Sequence, residues 1–226
     1  NHVNAWNNKG DSLRNLQKFE EAVQCYNKSI YLDENDVAGW DGKALALMLL
    51  QEFEEAIYCF DKSISLVDNS AGSWFYKGIS LKNLEKHEES IACYDKVISL
   101  DENDPDVWTN KGLALKYLKK NEEAVQCYNK AISLDENNVH AWSNKGISLR
   151  NLGKHEEALE CFDRVISLDE NNAEAWFQKG FTLGYLGKYQ DGIDCFDRVI
   201  SIDENHADGW LYKGHASQVI GKHEEA

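Results

Sequence analysis

The chain lacks long apolar runs and an excess of basic residues. Its longest apolar run, Ala44–Leu50, is far shorter than the roughly 20 residues that a membrane-spanning helix needs. Against 39 acidic residues it has only 24 lysines and arginines, which gives a net charge of -15. Phosphate backbones and anionic membranes attract cationic surfaces. The sequence therefore predicts a chain that binds neither nucleic acid nor membrane.

Sequence motifs for catalysis and metal binding are also missing. The His-Glu-Glu runs at His87, His155 and His223 lack the second histidine of a zinc-protease motif. These histidines recur in alternate copies of the repeat described below, too far apart to share one metal ion. The segment 184–188, which reads GYLGK, is too short for a phosphate-binding loop. We therefore predict no enzyme activity, no cofactor and no metal site.

Tryptophan, by contrast, recurs every 34 residues along the whole chain. The tryptophans are Trp6, Trp40, Trp74, Trp108, Trp142, Trp176 and Trp210. A fixed period of this size predicts a stack of short units instead of one globular core. If Val139 is counted as position 1, the tryptophans fall at position 4. The repeats are then 3–36, 37–70, 71–104, 105–138, 139–172, 173–206 and a partial 207–226, which together form a single domain, 1–226.

Other positions of the repeat are equally regular. Position 8 is small, position 11 is leucine in six repeats, position 20 is small and position 24 is aromatic, as in Gly146, Leu149, Ala158 and Phe162. This pattern resembles the tetratricopeptide repeat (TPR) family. The chain departs from that family at position 7, which is lysine, at position 11, which is usually tyrosine, and at position 32, which is acidic in place of proline. The missing proline should soften the boundary between repeats without moving it.

The resemblance implies an all-α fold, a right-handed α-solenoid of stacked antiparallel helix pairs (a TPR superhelix). We expect helix A at positions 1–14 of each repeat and helix B at positions 17–31. Asparagine or aspartate before helix A can cap it, and glycine near its end, as at Gly153, accepts the left-handed conformation. Trp142, Gly146 and Leu149 share one helical stripe, which predicts that the tryptophans belong to the core.

Six cysteines occur once per repeat, at position 23. They are Cys25, Cys59, Cys93, Cys127, Cys161 and Cys195. Equivalent residues of stacked repeats lie about 10 Å apart, whereas a disulfide needs Cα atoms within about 7 Å. The same separation prevents neighbouring cysteines from sharing a zinc ion. We expect free, structural cysteines and hence a cytoplasmic protein; no signal peptide is recognisable, and a start at Asn1 without methionine is typical of an excised piece.

A second stripe on helix A, at positions 2, 5, 6, 9, 12 and 13, lies opposite the first. In the TPR family this face lines a concave groove that binds partners, and the resemblance implies the same here. Position 9 forms an apolar ladder and position 12 a basic one. The predicted peptide-binding groove residues are Asn8, Arg14, Leu45, Met48, Leu49, Phe75, Tyr76, Ile79, Lys82, Asn110, Leu113, Lys116, Tyr117, Asn144, Ile147, Arg150, Phe177, Phe181 and Tyr185.

Two interpretations of this stripe remain open. In one, neighbouring A helices bury position 9 and the basic residues only balance charge. In the other, the groove binds an extended peptide or partner segment with acidic and apolar side chains, whose backbone the asparagines hydrogen-bond and whose carboxylates the cations attract. Such a peptide would cover about three residues per repeat. The carboxylate clamp of chaperone-binding TPR domains is not matched in consecutive repeats.

The sequence leaves an alternative to a peptide-binding scaffold. A structural module would self-associate head-to-tail, because each uncapped end of the array exposes an unpaired apolar face. RNA recognition by a helical repeat is disfavoured by the acidic charge.

Overall fold

The computed structural model describes residues 2–221, and in that part of the chain the secondary structure is helical throughout, without strands. The helices are α1 (His2–Asn15), α2 (Phe19–Leu32), α3 (Val37–Leu49), α4 (Phe53–Leu66), α5 (Ala71–Asn83), α6 (His87–Leu100), α7 (Pro105–Tyr117), α8 (Asn121–Leu134), α9 (Val139–Asn151), α10 (His155–Leu168), α11 (Ala173–Tyr185), α12 (Tyr189–Ile202) and α13 (Ala207–Val219). None of them is long and apolar enough to cross a bilayer.

Each repeat contributes one odd-numbered helix A and one even-numbered helix B. In the repeat 139–172, α9 covers positions 1–13 and α10 covers positions 17–30. The predicted helix pairs are confirmed, with ends that differ by one residue. The predicted second helix of the partial repeat, with His223 and Ala226, lies outside the described residues.

Side-chain caps fix the start of several A helices. The side-chain oxygens of Asn138 and Asn172 accept the backbone N–H groups of Ala141 and Ala175, each at 2.9 Å. Before α7, Asp104 accepts the N–H of Asp106 at 2.9 Å. Capping side chains satisfy N–H groups that have no partner within the helix. The predicted role of asparagine and aspartate before helix A is confirmed at these repeats.

The turn from helix A to helix B passes through a left-handed residue at position 15. This residue is glycine in the later repeats, with φ between 71° and 79° at Gly153, Gly187 and Gly221. In the earlier repeats non-glycine residues adopt the same conformation, with φ between 60° and 63°, at Gln17, Gln51, Glu85 and Lys119. Side-chain-bearing residues adopt this conformation at a cost of about 1–2 kcal/mol.

The core of a repeat lies between its two helices, around the aromatic ring at position 24. Phe162 is fully buried with Leu149, Ala158 and Cys161. A Cβ added at Gly146 would lie 2.7 Å from the Cε1 atom of Phe162. The small residue at position 8 is therefore required by the close approach of the helices.

The cysteines are free, as predicted, and the structure shows that all six are buried. Burial raises the pKa of the Cys59, Cys93, Cys161 and Cys195 thiols to about 11. They are therefore protonated at neutral pH, and as thiols they act as small apolar core groups.

The predicted place of the tryptophans in the core needs a correction. Trp142 is only half-buried and packs against the outside of the Phe162 cluster. Its indole N–H donates to the main-chain oxygen of Glu136 at 2.9 Å, and the Lys145 ammonium lies 5.0 Å from the ring centroid. The indole therefore links helix A to the preceding loop, because its polar edge needs a partner that the core does not offer.

The chain divides into two compact units, 1–114 and 115–226, each with its own core. Within the first unit α1 contacts α3 and α3 contacts α5; within the second, α9 contacts α11 and α11 contacts α13. Among the described residues of each unit, consecutive B helices make no such contact. In each unit, the A helices therefore lie closer together than the B helices and form a shared surface.

Candidate functional site

The candidate site is the A-helix face, which we define as the side chains at positions 2, 5, 6, 9, 12 and 13 of the A helices. Cation–amide hydrogen bonds link neighbouring A helices there. In the second unit, Lys116 Nζ donates to Asn144 Oδ1 at 2.7 Å, and Arg150 Nη1 donates to Gln178 Oε1 at 2.5 Å. Each cation is at position 12, and each amide is at position 6 of the next repeat. These two predicted rows of side chains therefore contact each other.

The first unit contains one bond of the same kind. Lys82 Nζ donates to Asn110 Oδ1 at 2.9 Å. At the start of this unit Arg14 differs, because Gly42 occupies position 6 of the following repeat and offers no amide. Arg14 instead pairs with Asp11 at 3.1 Å. The charge of Arg14 is thus already balanced, unlike that of the later cations in the row.

The amide groups are also held by their own helices. Asn144 Nδ2 donates to the main-chain oxygen of His140, and Asn110 Nδ2 to that of Asp106, each at 2.9 Å. Gln178 Nε2 donates to the Glu174 carboxylate at 2.5 Å. Among the described residues, each amide thus uses its oxygen and one N–H in hydrogen bonds and keeps its second N–H for a ligand. The predicted hydrogen bond from these asparagines to a peptide backbone can therefore use only that second N–H.

The three cations are partly desolvated. Burial lowers the pKa of Lys82, Lys116 and Arg150 below the ordinary values, and at Lys116 the nearby Arg150 charge lowers it further. None of the ion pairs formed by residues 2–221 includes any of them. For Arg150, attraction by Tyr185 and by the Glu174 carboxylate partly offsets this effect of burial on the pKa. A half-buried cation whose hydrogen-bond acceptors are neutral amides is stabilised by an added carboxylate.

Most of the predicted apolar residues are partly packed. Leu45 and Met48 lie against the Phe60 cluster, and Ile147 lies against the Phe162 cluster. Phe75 packs similarly on the cluster around Tyr94. Ile79, Leu113 and Phe181 are also half-buried. The interpretation that neighbouring helices bury position 9 therefore accounts for part of the apolar ladder.

The exposed apolar surface of the face lies mainly at position 13. Leu49, Tyr117 and Tyr185 are 54%, 57% and 61% exposed, and Tyr76 at position 6 is 37% exposed. The intervening repeats carry Asn15, Asn83 and Asn151 at position 13. Among the predicted polar residues, Asn8 is exposed on α1. A ligand on this face would therefore contact position 13 more than position 9.

Aromatic side chains gather at the α11 end of the face in the second unit. The Phe181 ring lies 5.3 Å from Tyr185 and 5.0 Å from Tyr212, both edge-to-face, and Phe177 stacks 6.1 Å away. The Arg150 guanidinium lies 4.9 Å above the Phe181 ring. This arrangement places a cation directly beside an aromatic cluster.

The sequence analysis missed two features of the site. One is the pairing of predicted residues: a cation at position 12 is followed by an amide at position 6 of the next repeat, as for Lys116 and Asn144, and this co-occurrence is visible in the sequence. The other is a cavity beside α11 that Tyr212 and His215 help to line. Its signal in the sequence is the glycine at position 12, Gly184.

Comparison with known families agrees with this geometry. The tetratricopeptide repeat profile matches residues 3–36, 105–138, 139–172 and 173–206, and a second TPR repeat profile matches residues 80–119. The chain belongs to the tetratricopeptide repeat family. A comparison with curated protein sequences gave no significant match.

Solved structures of TPR proteins share the fold. YrrB, described as a TPR protein with an unusual peptide-binding site, is 24% identical, with a TM-score of 0.70 over 85% of this chain and 97% of YrrB. MamA is 21% identical, with a TM-score of 0.70 over 76% of this chain and 94% of MamA. PilF of Pseudomonas aeruginosa is 19% identical, with a TM-score of 0.72 over 86% of this chain and 88% of PilF. At these identities the likeness extends to the fold.

Proposed function

We propose that this protein is a non-enzymatic interaction scaffold whose A-helix face binds an extended peptide segment with acidic and apolar side chains. The observation that carries the proposal is the state of Lys116 and Arg150: both are partly desolvated, and neither forms an ion pair with any residue of 2–221. A bound carboxylate would form charge-assisted hydrogen bonds with them, which are stronger than those to neutral amides. YrrB, which shares the fold, is described as having a peptide-binding site.

Spacing defines the peptide further. Equivalent residues of adjacent repeats lie about 10 Å apart, and an extended chain advances about 3.3 Å per residue. Carboxylates about three residues apart would therefore meet Lys116 and Arg150 together. Apolar side chains flanking these carboxylates would contact the exposed rings of Tyr117 and Tyr185.

The overall charge restricts the ligand as well. At a net charge of -15 the protein repels a strongly acidic segment at long range. Short-range attraction by two cations is sufficient to bind a peptide in which a few carboxylates alternate with apolar residues. It is not sufficient to bind a long acidic run.

Selection from a random peptide library tests this proposal. We expect the protein to enrich peptides with carboxylates about three residues apart, and Arg150→Gln to weaken a selected peptide by about tenfold or more, the worth of a charged hydrogen bond. Arg164 supplies the control. It lies on helix B (α10), away from the A-helix face, and donates to the amide oxygen of Asn137 at a distance of 3.3 Å. Equal losses for Arg150→Gln and Arg164→Gln, or no enriched peptide, would contradict the proposal.

A second candidate function is self-association, which exposed apolar residues on α13 favour. Leu211 and Val219 lie on the A-helix face of α13 and are 57% and 61% exposed, and Trp210 on the opposite stripe is 53% exposed. Apolar surface of this kind is typical of contact sites. Light scattering over a range of protein concentrations tests it: growth of the particle mass that Leu211→Gln suppresses supports this function, and a constant monomer mass excludes it.

A further inference from the structure

A cavity of about 230 Å³ lies in the second unit, between α11, α12 and α13. Aromatic rings form much of its wall, among them Phe181, Tyr185, Phe196 and Tyr212. The same Phe181 and Tyr185 rings belong to the A-helix face. The cavity is therefore continuous with the proposed peptide-binding surface.

The cavity is lined at two positions where this repeat has glycine and the five preceding repeats carry a side chain. Position 12 is arginine, lysine or methionine in the five preceding repeats, and here it is Gly184. Position 20 is alanine or serine in those repeats, and here it is Gly192. A Cβ added at Gly184 would meet no other atom within 4 Å. A Cβ added at Gly192 would instead lie 3.2 Å from the main-chain oxygen of Gly180, so the open space specific to this repeat is at Gly184.

A cation, Arg150, lies beside the cavity, and the Glu174 carboxylate attracts it without forming an ion pair among the described residues. Arg150, at position 12 of the preceding repeat, places its guanidinium 4.9 Å above the Phe181 ring, which forms part of the wall. Arg150 forms no ion pair within residues 2–221, as shown above. A ligand that enters the cavity and carries a carboxylate next to its apolar group would match both features.

Size distinguishes between the apolar groups that could enter. An apolar protein cavity of about 150 Å³ is large enough to bind benzene, so this cavity has room for a six-membered ring with a substituent. Pockets for whole small-molecule ligands are larger, about 300–1,000 Å³. The volume therefore favours one inserted aromatic side chain over a complete small molecule, and edge-to-face contacts with Phe181 and Tyr212 would hold its ring.

We propose that this cavity receives an aromatic side chain of an acidic peptide, whose neighbouring carboxylate pairs with Arg150. The inference rests on the proposed peptide-binding function and identifies the residue that anchors the peptide. It assigns a role to Gly184, Gly192 and Tyr212, which lay outside the predicted groove residues.

The cavity is tested first without any peptide. p-Cresol, the isolated side chain of tyrosine, is titrated into ¹⁵N-labelled protein, and we expect saturable shifts of the amide signals of Gly180, Gly184 and Gly192. Gly184→Met should abolish them, because methionine fills this position in the second repeat as Met48. Gly72→Met, at an exposed helical glycine with open space around it, is the matched control and should retain them. Absence of p-cresol shifts in the wild-type protein would overturn the inference.

Peptide selection is then repeated on the wild-type and Gly184→Met proteins. Enrichment of an aromatic residue next to a carboxylate on the wild-type protein only, with about tenfold weaker binding of the selected peptide to Gly184→Met, supports the inference. Peptides that bind both proteins equally contradict the cavity as anchor and leave the peptide-binding function standing. If p-cresol binds but no peptide is enriched, the peptide-binding function fails and the assigned occupant fails with it. If the amide signals of Gly180, Gly184 and Gly192 shift with protein concentration alone, a second copy of the protein occupies the cavity. That result would also overturn the inference.

Discussion

Lys116, at the end of α7, donates its ammonium N–H to the side-chain oxygen of Asn144 on α9, 2.7 Å away, and both residues belong to the second unit. The lysine is partly desolvated, and its Nζ meets no carboxylate within the described chain. Asn144 is in turn fixed by its bond to the main-chain oxygen of His140. The stacking of the repeats and the positive charge of the candidate site thus depend on the same side chains.

Removal of Asn144 should destabilise the protein through this bond. Asn144→Ala leaves the Lys116 ammonium without its acceptor, and we expect the free energy of unfolding to fall by about 1.5–3 kcal/mol. Urea unfolding followed by circular dichroism measures the change. The Lys116→Met variant should then make Asn144→Ala much less harmful, since the two residues act as a pair.

Asn151 provides the control for this double-mutant cycle. It is exposed at position 13 of the same helix, so Asn151→Ala should add to Lys116→Met without coupling. Full additivity of Lys116→Met and Asn144→Ala would show that the bond contributes nothing to stability.

Two glycines in A helices of the second unit should respond oppositely to alanine. At Gly184 a Cβ meets nothing within 4 Å, so Gly184→Ala should raise the free energy of unfolding by about 0.5–1 kcal/mol through helix propensity. At Gly146 a Cβ would lie 2.7 Å from Phe162, so Gly146→Ala should lower it by about 1–3 kcal/mol. Thermal unfolding of the two variants beside wild type measures both effects. The same sign at both positions would show that the packing around them is wrongly assigned.

The helix pairs were predictable because the repeat encodes them directly. The pattern of Trp142, Gly146 and Leu149 recurs at helical spacing in most copies, and glycine or an asparagine cap marks the ends, so the boundaries of α9 and α10 were found within one residue. The depth of Trp142 was not predictable in the same way. Its spacing places it on the packed stripe, but its N–H bond to Glu136 holds the ring at the edge of the core.

The site was less predictable than the fold. Sequence spacing placed Lys116 and Asn144 on the same face, but their bond depends on how α7 and α9 are offset, which periodicity within one helix does not report. The cavity at Gly184 arises because a side chain is missing there. A search for functional side chains in the sequence does not detect such a position. Both features become visible only when each repeat is compared with its neighbours.

The buried cysteines should be inert in the native protein. Because burial raises the pKa of the Cys161 and Cys195 thiols to about 11, little thiolate is present at pH 8, and a disulfide reagent should react slowly. Addition of urea to unfold the chain should accelerate the reaction strongly. Rapid modification of all six thiols without urea would contradict their burial.

The same shifts predict a pH dependence of stability. The unfolded thiols lose their protons near pH 8.5, whereas the folded thiols retain them up to about 11. The folded state binds more protons between these values, so this contribution to the free energy of unfolding is complete below about pH 8.5 and declines as the pH rises. Urea unfolding at pH 7.5 and 9.5 should show a smaller decline in the Cys161→Ala variant than in wild type. An equal decline in both proteins would remove Cys161 as a source of the effect.

The left-handed residue at position 15 offers a test within two neighbouring repeats. Lys119 (φ 61°) and Gly153 (φ 77°) make equivalent turns, since their N–H groups donate to the main-chain oxygens of Lys116 and Arg150, each at 2.9 Å. Lys119→Gly should therefore raise the free energy of unfolding by up to about 1 kcal/mol, after the greater freedom of glycine in the unfolded chain is subtracted. Gly153→Lys should lower it by a similar amount, as thermal or urea unfolding would show. Lys120→Gly, one residue beyond the turn and without a positive φ, is the control; a gain there equal to that of Lys119→Gly would mean that the left-handed conformation is not the cause.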